Sequence, residues 1–367
     1  MTRIGVIGAN GQVGAEVSLM LAAQTGVEVV PISRNRTGSA FLRSQGLPCR
    51  HGRVTDPDEA RGLLADCDLI LNFARPAFGR SAEMRAANRA LVAHCARYSP
   101  PHARVVYFSS LCAYREFRPM DQPASITAYG WEKRSIERIV RREASRYGKE
   151  SWILRLGHVA GELQSITAEI RRLLRCGPVV VPSAGAHASN VVYTATIVDA
   201  ALAIAAGSET PGTYDMVCSP PWTWREVLER ESAVIGVKLR MDEPLPTFAP
   251  DVKPFPVSVD WKAPLRTVAS RVLASPRARE LGLIALNFLS AESNLRAQSA
   301  HFQRRAKSEI DRMLFRPPST EAFTFAEAGS RYLRSLRPTA DLVSDPAFRV
   351  AERRVDRVFA PDLSPAT

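Results

Sequence analysis

The sequence predicts an α/β fold in which a doubly wound parallel sheet is joined by a smaller lobe and a mostly helical C-terminal extension. A glycine-rich turn at residues 8–14 separates an apolar, β-branched run at 3–7 from a helical stretch with few charges, as expected of a buried strand that leads into a helix. Further apolar runs alternate with helical segments as far as residue 109, a pattern typical of parallel sheets. With 367 residues, of which 46% are hydrophobic, the chain is long enough to bury a large core.

The elements follow one another in a regular order. The predicted strands lie at residues 3–7, 27–32, 49–54, 68–73 and 104–109. Helices are expected after the glycine-rich turn, from Asp56 onwards, and from about 81 to 98. The fourth strand ends in Asn72, Phe73, Ala74 and Arg75, and in a parallel sheet this end lies beside the glycine-rich turn.

The turn itself indicates a dinucleotide site. It reads Gly8-Ala9-Asn10-Gly11-Gln12-Val13-Gly14. Glycine lets the backbone turn tightly and approach a pyrophosphate, and a helix N-terminus favours the negative charge. The spacing is GxxGxxG rather than GxGxxG, and the alternative is a strand-to-helix turn that binds no ligand.

The end of the second strand bears on the choice of dinucleotide. Folds that prefer NAD usually place an acidic residue there, on the ribose hydroxyls, whereas this chain has Ser33 and Arg34. Arginine pairs with phosphate in a bidentate way, so we favour NADP(H) and keep NAD(H) as the alternative. In that alternative, Arg34 and Arg36 are solvated loop charges.

A serine, a tyrosine and a lysine follow in the order that acid–base chemistry requires. The fifth strand runs into Ser109 and Ser110, and Tyr129 and Lys133 follow four residues apart after a polar loop. A free tyrosine has a pKa near 10, and a nearby ammonium together with an oxidised nicotinamide lowers it. Tyr129 then exchanges a proton with a carbonyl or alcohol oxygen that Ser110 hydrogen-bonds. The alternative is a surface pair on an amphipathic helix, where this spacing is common.

With these motifs, the chain resembles the extended short-chain dehydrogenases/reductases, in the NAD-dependent epimerase/dehydratase group that acts on nucleotide sugars. The matching stretches are GANGQVG at 8–14, NFA at 72–74, SSLCAY at 109–114, YGWEK at 129–133 and ILRLGHVAG at 153–161. The resemblance covers roughly residues 1–235. The sequence around Gly11 is also similar to that of the dTDP-4-dehydrorhamnose reductases, which tolerate NADP(H).

The resemblance implies a Rossmann fold and a defined set of site residues. The implied catalytic residues are Ser110, Tyr129 and Lys133. The implied cofactor-binding residues are Gly8, Asn10, Gly11, Gln12, Val13, Gly14, Ser33, Arg34, Val54, Asn72, Phe73, Ala74, Tyr129, Lys133, Leu156 and His158. No metal site is implied.

Several positions depart from the group's pattern. Leu111 and Cys112 stand where its 4,6-dehydratases carry an acidic pair, so dehydration is not expected. His158 replaces an asparagine, and acts either in the site or as a hydrogen-bonded structural residue. Thr196 stands where an aspartate is usual, with Asp199 displaced.

Three functions are compatible with these features. The chain is expected to move a hydride to or from a keto or hydroxy carbon of a nucleotide sugar. Arg34 favours a 4-keto sugar nucleotide reductase that consumes NADPH, and a nucleotide-sugar epimerase with tightly bound NAD is the alternative. A non-catalytic dinucleotide-binding scaffold is the third, although such a protein has no need of all three catalytic residues.

The domain organisation follows from where the resemblance ends. We expect a dinucleotide-binding domain at 1–160, a substrate lobe at 161–240 interleaved with it, and a helical extension at 241–367. The extension is helical from about residue 265, with amphipathic, basic stretches. Three roles are open for this extension: packing over the substrate cleft, forming a homodimer interface, or contacting a membrane surface peripherally.

Charge and cysteine usage narrow the class of protein. The net charge of +12 is spread over both the first 240 residues and the remainder, so no nucleic-acid-binding tail or stripe is expected. We interpret the basic residues as typical of a cytoplasmic protein with anionic phosphate ligands. The six cysteines show neither CxxC nor zinc spacing, as expected in a reducing compartment. Neither a signal peptide nor a membrane-spanning run is expected.

Overall fold

The fold is seen in a computed structural model that describes residues 1–75, 81–114, 124–242, 290–291, 293–295, 298, 331–348 and 350. The strands are β1 (Thr2–Ile7), β2 (Val27–Ser33), β3 (Arg50–His51), β4 (Leu69–Asn72), β5 (Arg104–Ser110), β6 (Ser151–Leu156), β7 (His158–Ala160), β8 (Val179–Val180), β9 (Val191–Tyr193), β10 (Gly212–Met216) and β11 (Met241–Asp242). The helices are α1 (Gln12–Ala22), α2 (Ala40–Ser44), α3 (Pro57–Leu64), α4 (Ser81–Tyr98), α5 (Ala124–Arg146), α6 (Ser165–Cys176), α7 (Thr194–Ala206), α8 (Trp224–Val234) and α9 (Thr339–Ser344).

The central sheet confirms the predicted fold class. Its seven strands are ordered β10-β6-β5-β4-β1-β2-β3, and every neighbouring pair is parallel. Leu69, Ile70 and Leu71 of β4 are wholly buried, as expected of a strand covered by helices on both faces. Two small parallel pairs, β7 with β9 and β8 with β11, lie outside this sheet.

Most element positions agree with the sequence predictions, and the third strand is the exception. It spans two residues rather than 49–54. Since β2 ends at Ser33, which pairs with His51, the residues after His51 have no partner on β2. The following helix begins as predicted, with the Asp56 carboxylate accepting hydrogen bonds from the Asp58 and Glu59 amides, a standard N-cap.

The described parts of the C-terminal extension pack on the first 240 residues. The Thr339 amide donates to the Ser219 carbonyl at 2.7 Å, and Arg337 donates to Asp199 through its amide and its guanidinium. Asp199, the aspartate displaced from the family's usual position, therefore anchors the extension. The amphipathic stretches expected between 265 and 289 and between 302 and 314 lie outside the described residues. In the described ranges, no helix is long and apolar enough to cross a membrane.

Candidate active site

The glycine-rich turn fits the pyrophosphate of a dinucleotide. A Cβ on Gly14 would lie 2.4 Å from the Gly8 carbonyl oxygen, so only glycine brings α1 this close to the end of β1. Gly11 is the N-cap of α1, whose first turn has neither a side-chain cap nor an acidic residue. Uncapped N–H groups at a helix N-terminus bind phosphate, so this chain's backbone supplies the donors that such a cofactor needs.

The surroundings of the remaining residues of the turn differ from one another. Asn10 is exposed and Val13 is half-buried. The Gln12 side-chain oxygen accepts a hydrogen bond from the Ser165 hydroxyl at 3.3 Å, which ties the turn to the start of α6.

The predicted neighbours of the turn at the end of β4 are also in place. β4 pairs with β1, and a Cβ on Gly8 would lie 2.8 Å from the Ala74 nitrogen. The Asn72 side chain accepts a hydrogen bond from the Ala74 amide at 3.1 Å. Phe73 stacks on Phe108 with ring centroids 3.8 Å apart, so this segment is fixed against β5.

At the end of β2, the structure leaves the choice between NADP(H) and NAD(H) as the sequence left it. The Ser33 hydroxyl donates to the Asn35 carbonyl at 2.9 Å, and the Arg34 side chain is exposed. Within the described residues, the Arg34 guanidinium has no ion pair or hydrogen bond. Val54 is buried, with its carbonyl oxygen 2.7 Å from a ring nitrogen of His94.

Ser110, Tyr129 and Lys133 meet at the carboxyl edge of the sheet. Ser110 ends β5, and its hydroxyl acts on Tyr129 of α5, lowering the pKa of that phenol. Lys133 is 8% exposed and donates to the Phe108 carbonyl at 2.8 Å. A Cβ on Gly130 would lie 2.1 Å from the Cys112 carbonyl oxygen, so glycine after the tyrosine lets α5 approach the turn that follows Ser110.

Burial dominates the electrostatics of the side chains at this site. Burial raises the pKa of Tyr129 to about 12 and lowers the pKa of Lys133 to about 8. Among the side chains alone, desolvation of the phenol therefore outweighs the lowering expected from the ammonium. Lys133 nevertheless remains mostly protonated at neutral pH, because its pKa stays above 7.

Sequence reasoning missed an arginine at this site. The Arg75 guanidinium lies 4.8 Å from the centroid of the Tyr129 ring and pairs with Glu132 at 2.7 Å. Glu132 also accepts a hydrogen bond from Asn88 at 2.9 Å. The available signal was its position, one residue after the end of the cofactor segment 72–74.

A buried ion pair holds α5 against the sheet below the catalytic side chains. Glu137 lies one turn beyond Lys133 and accepts hydrogen bonds from Ser109 at 2.6 Å and from Arg155 at 2.8 and 3.0 Å. The Arg155 guanidinium lies over the Tyr114 ring at 4.4 Å. The first serine of the pair therefore positions the helix, whereas Ser110 remains beside Tyr129.

Three further positions singled out in the sequence, Leu156, His158 and Thr196, lie among buried or hydrogen-bonded neighbours. Leu156 ends β6 and is buried. The His158 amide donates to the Asn190 carbonyl at 2.8 Å, and burial lowers the pKa of the His158 imidazole to about 4. His158 is therefore neutral at physiological pH, and its ring lies 6.4 Å from that of Trp224. Buried Thr196 approaches Thr339 of the extension, with 3.2 Å between the hydroxyl oxygens.

A second missed residue is Glu16, which is wholly buried in α1. It accepts hydrogen bonds from the amides of Glu162 and Leu163, the Gln164 side chain and the Thr194 hydroxyl, all between 2.7 and 3.0 Å. Burial raises the pKa of Glu16 to about 7, against these donors. It borders a cavity of about 640 Å³ that extends to Phe348 and includes none of the catalytic residues.

Three solved structures are similar to this chain, and the likeness in fold rests on the first of them alone. UDP-N-acetylglucosamine 4-epimerase from Bacillus cereus is 17% identical over 66% of this chain and 86% of that one, with a TM-score of 0.50. UDP-glucose 4-epimerase from Thermus thermophilus, solved with NAD, is 20% identical over 67% and 88%, with a TM-score of 0.46. UDP-glucuronic acid 4-epimerase from Bacillus cereus, solved with UDP-glucuronic acid and NAD, is 16% identical over 66% and 86%, with a TM-score of 0.48. At these identities, the likeness concerns the fold alone.

The sequence itself carries the family assignment. No match was found among curated protein sequences. A sequence profile described as the NAD dependent epimerase/dehydratase family matches residues 4–216, which include the glycine-rich turn, Ser110, Tyr129 and Lys133. Since this match spans more than half of the chain, the protein belongs to the NAD dependent epimerase/dehydratase family.

Proposed function

We propose that the protein epimerises a hydroxyl-bearing carbon of a nucleotide sugar by hydride transfer to and from a nicotinamide dinucleotide. The meeting of Ser110, Tyr129 and Lys133 at the same edge of the sheet as the glycine-rich turn carries this proposal. Family membership supports it, because the family joins NAD dependence to epimerisation and dehydration. The UDP-N-acetylglucosamine 4-epimerase that shares the fold suggests the substrate class.

Each side chain has one task in this reaction. The nicotinamide, when bound, accepts the hydride and returns it. Tyr129 takes the hydroxyl proton as the hydride leaves the carbon and gives it back when the carbonyl is reduced. Ser110 donates a hydrogen bond to the same oxygen, and Lys133 carries a positive charge next to the tyrosine.

The other reaction of the family is disfavoured by the residues after Ser110. Elimination requires a group that removes a proton from carbon, and the dehydratases carry an acidic pair there. Leu111 is buried against Val217, and Cys112 is half-buried with its pKa raised by burial. Neither side chain is a base at neutral pH.

A reductase is the second candidate, and Arg34 favours it. Its exposed guanidinium follows β2, where it would pair with a 2′-phosphate. A reductase consumes a reduced cofactor at each turnover, whereas an epimerase regenerates its own.

Product analysis tests the proposed function. The purified protein is incubated with NAD⁺ and, separately, with UDP-glucose, UDP-N-acetylglucosamine and UDP-glucuronic acid, and the products are separated by chromatography. We expect one substrate to give its 4-epimer without net formation of NADH. Consumption of NADPH with a 4-keto sugar nucleotide, and no epimer, would establish the reductase instead. Turnover of none of these compounds would contradict the assigned substrate class.

Replacement of Arg34 separates the two candidates through the cofactor. For the epimerase we expect Arg34→Ala to change the Kd for NADH, measured by calorimetry, less than twofold, because no 2′-phosphate is bound. The reductase candidate instead predicts that NADPH binds more tightly and that the mutation weakens it about tenfold, as loss of one charge-assisted phosphate contact would. Arg36→Ala removes a neighbouring exposed charge and serves as the control.

A further inference from the structure

We propose that Arg75 is a positioning residue of the acid–base site, whose guanidinium stabilises the ionised form of Tyr129 and sets the pH range in which that tyrosine accepts a proton. The inference rests on the proposed function, because Tyr129 is there the proton acceptor. It assigns to Arg75 part of a task that the sequence pattern gave to Lys133 together with an oxidised nicotinamide.

The distances place Arg75 closer to the tyrosine ring than Lys133. The Arg75 guanidinium carbon is 4.8 Å from the Tyr129 ring centroid, whereas the Lys133 ammonium is 5.8 Å away. Lys133 also donates to the Phe108 carbonyl at 2.8 Å and lies 4.9 Å from the Tyr107 ring. A phenolate ring carries more negative charge than a phenol ring, so a cation over its face favours the ionised form.

The guanidinium is held in this position by two helices. One Arg75 nitrogen donates to Glu132 at 2.7 Å, and the other Glu132 oxygen accepts from Asn88 at 2.9 Å. Asn88 is 5% exposed and also donates to the Met84 carbonyl at 3.0 Å. Arg75 is therefore held at its exposed position through Glu132 of α5, which Asn88 of α4 holds in turn.

The other groups around Tyr129 define what Arg75 must offset. The groups that influence the Tyr129 phenol from the neighbouring elements are Ser110, Cys112, Arg75, Glu132, Lys133 and Tyr107. Burial, the Cys112 thiol and the Glu132 carboxylate raise the pKa of Tyr129, whereas Arg75 and the Ser110 hydroxyl lower it. Arg75 thus contributes the main opposing charge.

The size of the effect follows from distance and exposure. An opposite charge within about 4–6 Å lowers a pKa by about 1–3 units. The Arg75 side chain is 38% exposed, so solvent screens it and the lower limit applies. Removing Arg75 also relieves repulsion on Lys133, but this adds little because Lys133 is already mostly protonated at pH 7.

The test compares Arg75→Gln with Arg89→Gln. Arg89 is an exposed arginine of α4, so the control removes the same charge away from Tyr129. Phenolate absorbance near 295 nm, taken as the difference from Tyr129→Phe with saturating NAD⁺, is recorded between pH 6 and 10. We expect the titration curve of Arg75→Gln to lie about one pH unit higher than that of the wild type. The curve of Arg75→Lys is expected to lie between the two, because lysine keeps a positive charge at this position.

The second readout is the pH profile of alcohol oxidation. In the pH range where the rate rises, the Arg75→Gln profile is expected to lie about one pH unit higher than the wild-type profile, and its plateau rate is expected to be unchanged. Coincidence of Arg75→Gln with Arg89→Gln in both measurements would overturn the inference. Because the absorbance requires no turnover, it judges Arg75 separately from the proposed reaction.

Discussion

Replacing Tyr129 with phenylalanine is expected to reduce turnover about a thousandfold. The change removes the hydroxyl that exchanges a proton with the substrate, and general acid–base catalysis contributes about 10²- to 10⁴-fold. This loss corresponds to about 4 kcal/mol of transition-state stabilisation. The measurement is kcat for the substrate identified by product analysis, together with calorimetric binding of NAD⁺.

Cofactor affinity should be almost unaffected, because the pyrophosphate donors are backbone groups at the N-terminus of α1, which the substitution leaves in place. Tyr147→Phe is the matched control, since Tyr147 lies just beyond α5 beside Arg146 and away from Ser110. A Tyr129→Phe protein that turns over at the wild-type rate would remove Tyr129 from the mechanism. Equal losses in both variants would attribute the effect to the helix rather than to the hydroxyl.

Replacing Glu16 with alanine is expected to destabilise the fold by about 3–5 kcal/mol, because buried donors lose their shared acceptor. Four donors, from Glu162, Leu163, Gln164 and Thr194, would lose their acceptor. An unsatisfied buried donor costs about 1–3 kcal/mol, and relaxation into the adjacent cavity keeps the total below the sum. The free energy of unfolding in urea at pH 5 gives the comparison, because the raised pKa of Glu16 makes its contribution smaller as the pH rises to about 7.

The control for this variant is Glu229→Ala, which removes an exposed carboxylate from α8 and is expected to cost less than about 0.5 kcal/mol. If Glu16→Ala were as stable as this control, the carboxylate would not join α1 to the loop at 161–164. The site predictions would then be unaffected, because Glu16 contacts none of Ser110, Tyr129 and Lys133.

The strands of the main sheet could be predicted from the sequence, because the pattern that marks a buried strand is local. Buried parallel strands appear as short apolar runs, and β1, β2, β4 and β5 were placed within about one residue at each end. β3 was overestimated because its length depends on where β2 ends, which no local pattern encodes. The smaller lobe and the return of β10 to the sheet depend on contacts between distant segments.

The site was predictable where function needs a motif. Tyr129 and Lys133 are recognisable from their spacing on one helix and from the serines that precede them. Arg75 and Glu16 were missed because their importance depends on partners 57 and 146 or more residues away. The contribution of burial to the Tyr129 pKa could not be predicted, because burial of a side chain cannot be read from its chain neighbours.

The arrangement of the sheet also sets an order of events during synthesis. The edge strand β10 pairs with β6 from Gly212↔Trp152 to Met216↔Leu156, so the outer edge of β6 has no partner until the ribosome has released residue 216. At about 5–20 residues per second, that edge stays open for about 3–12 s. Open strand edges invite pairing with other chains. Truncations or stalls between residues 156 and 212 are therefore the ones expected to aggregate, and a fusion partner joined after residue 216 meets a completed sheet.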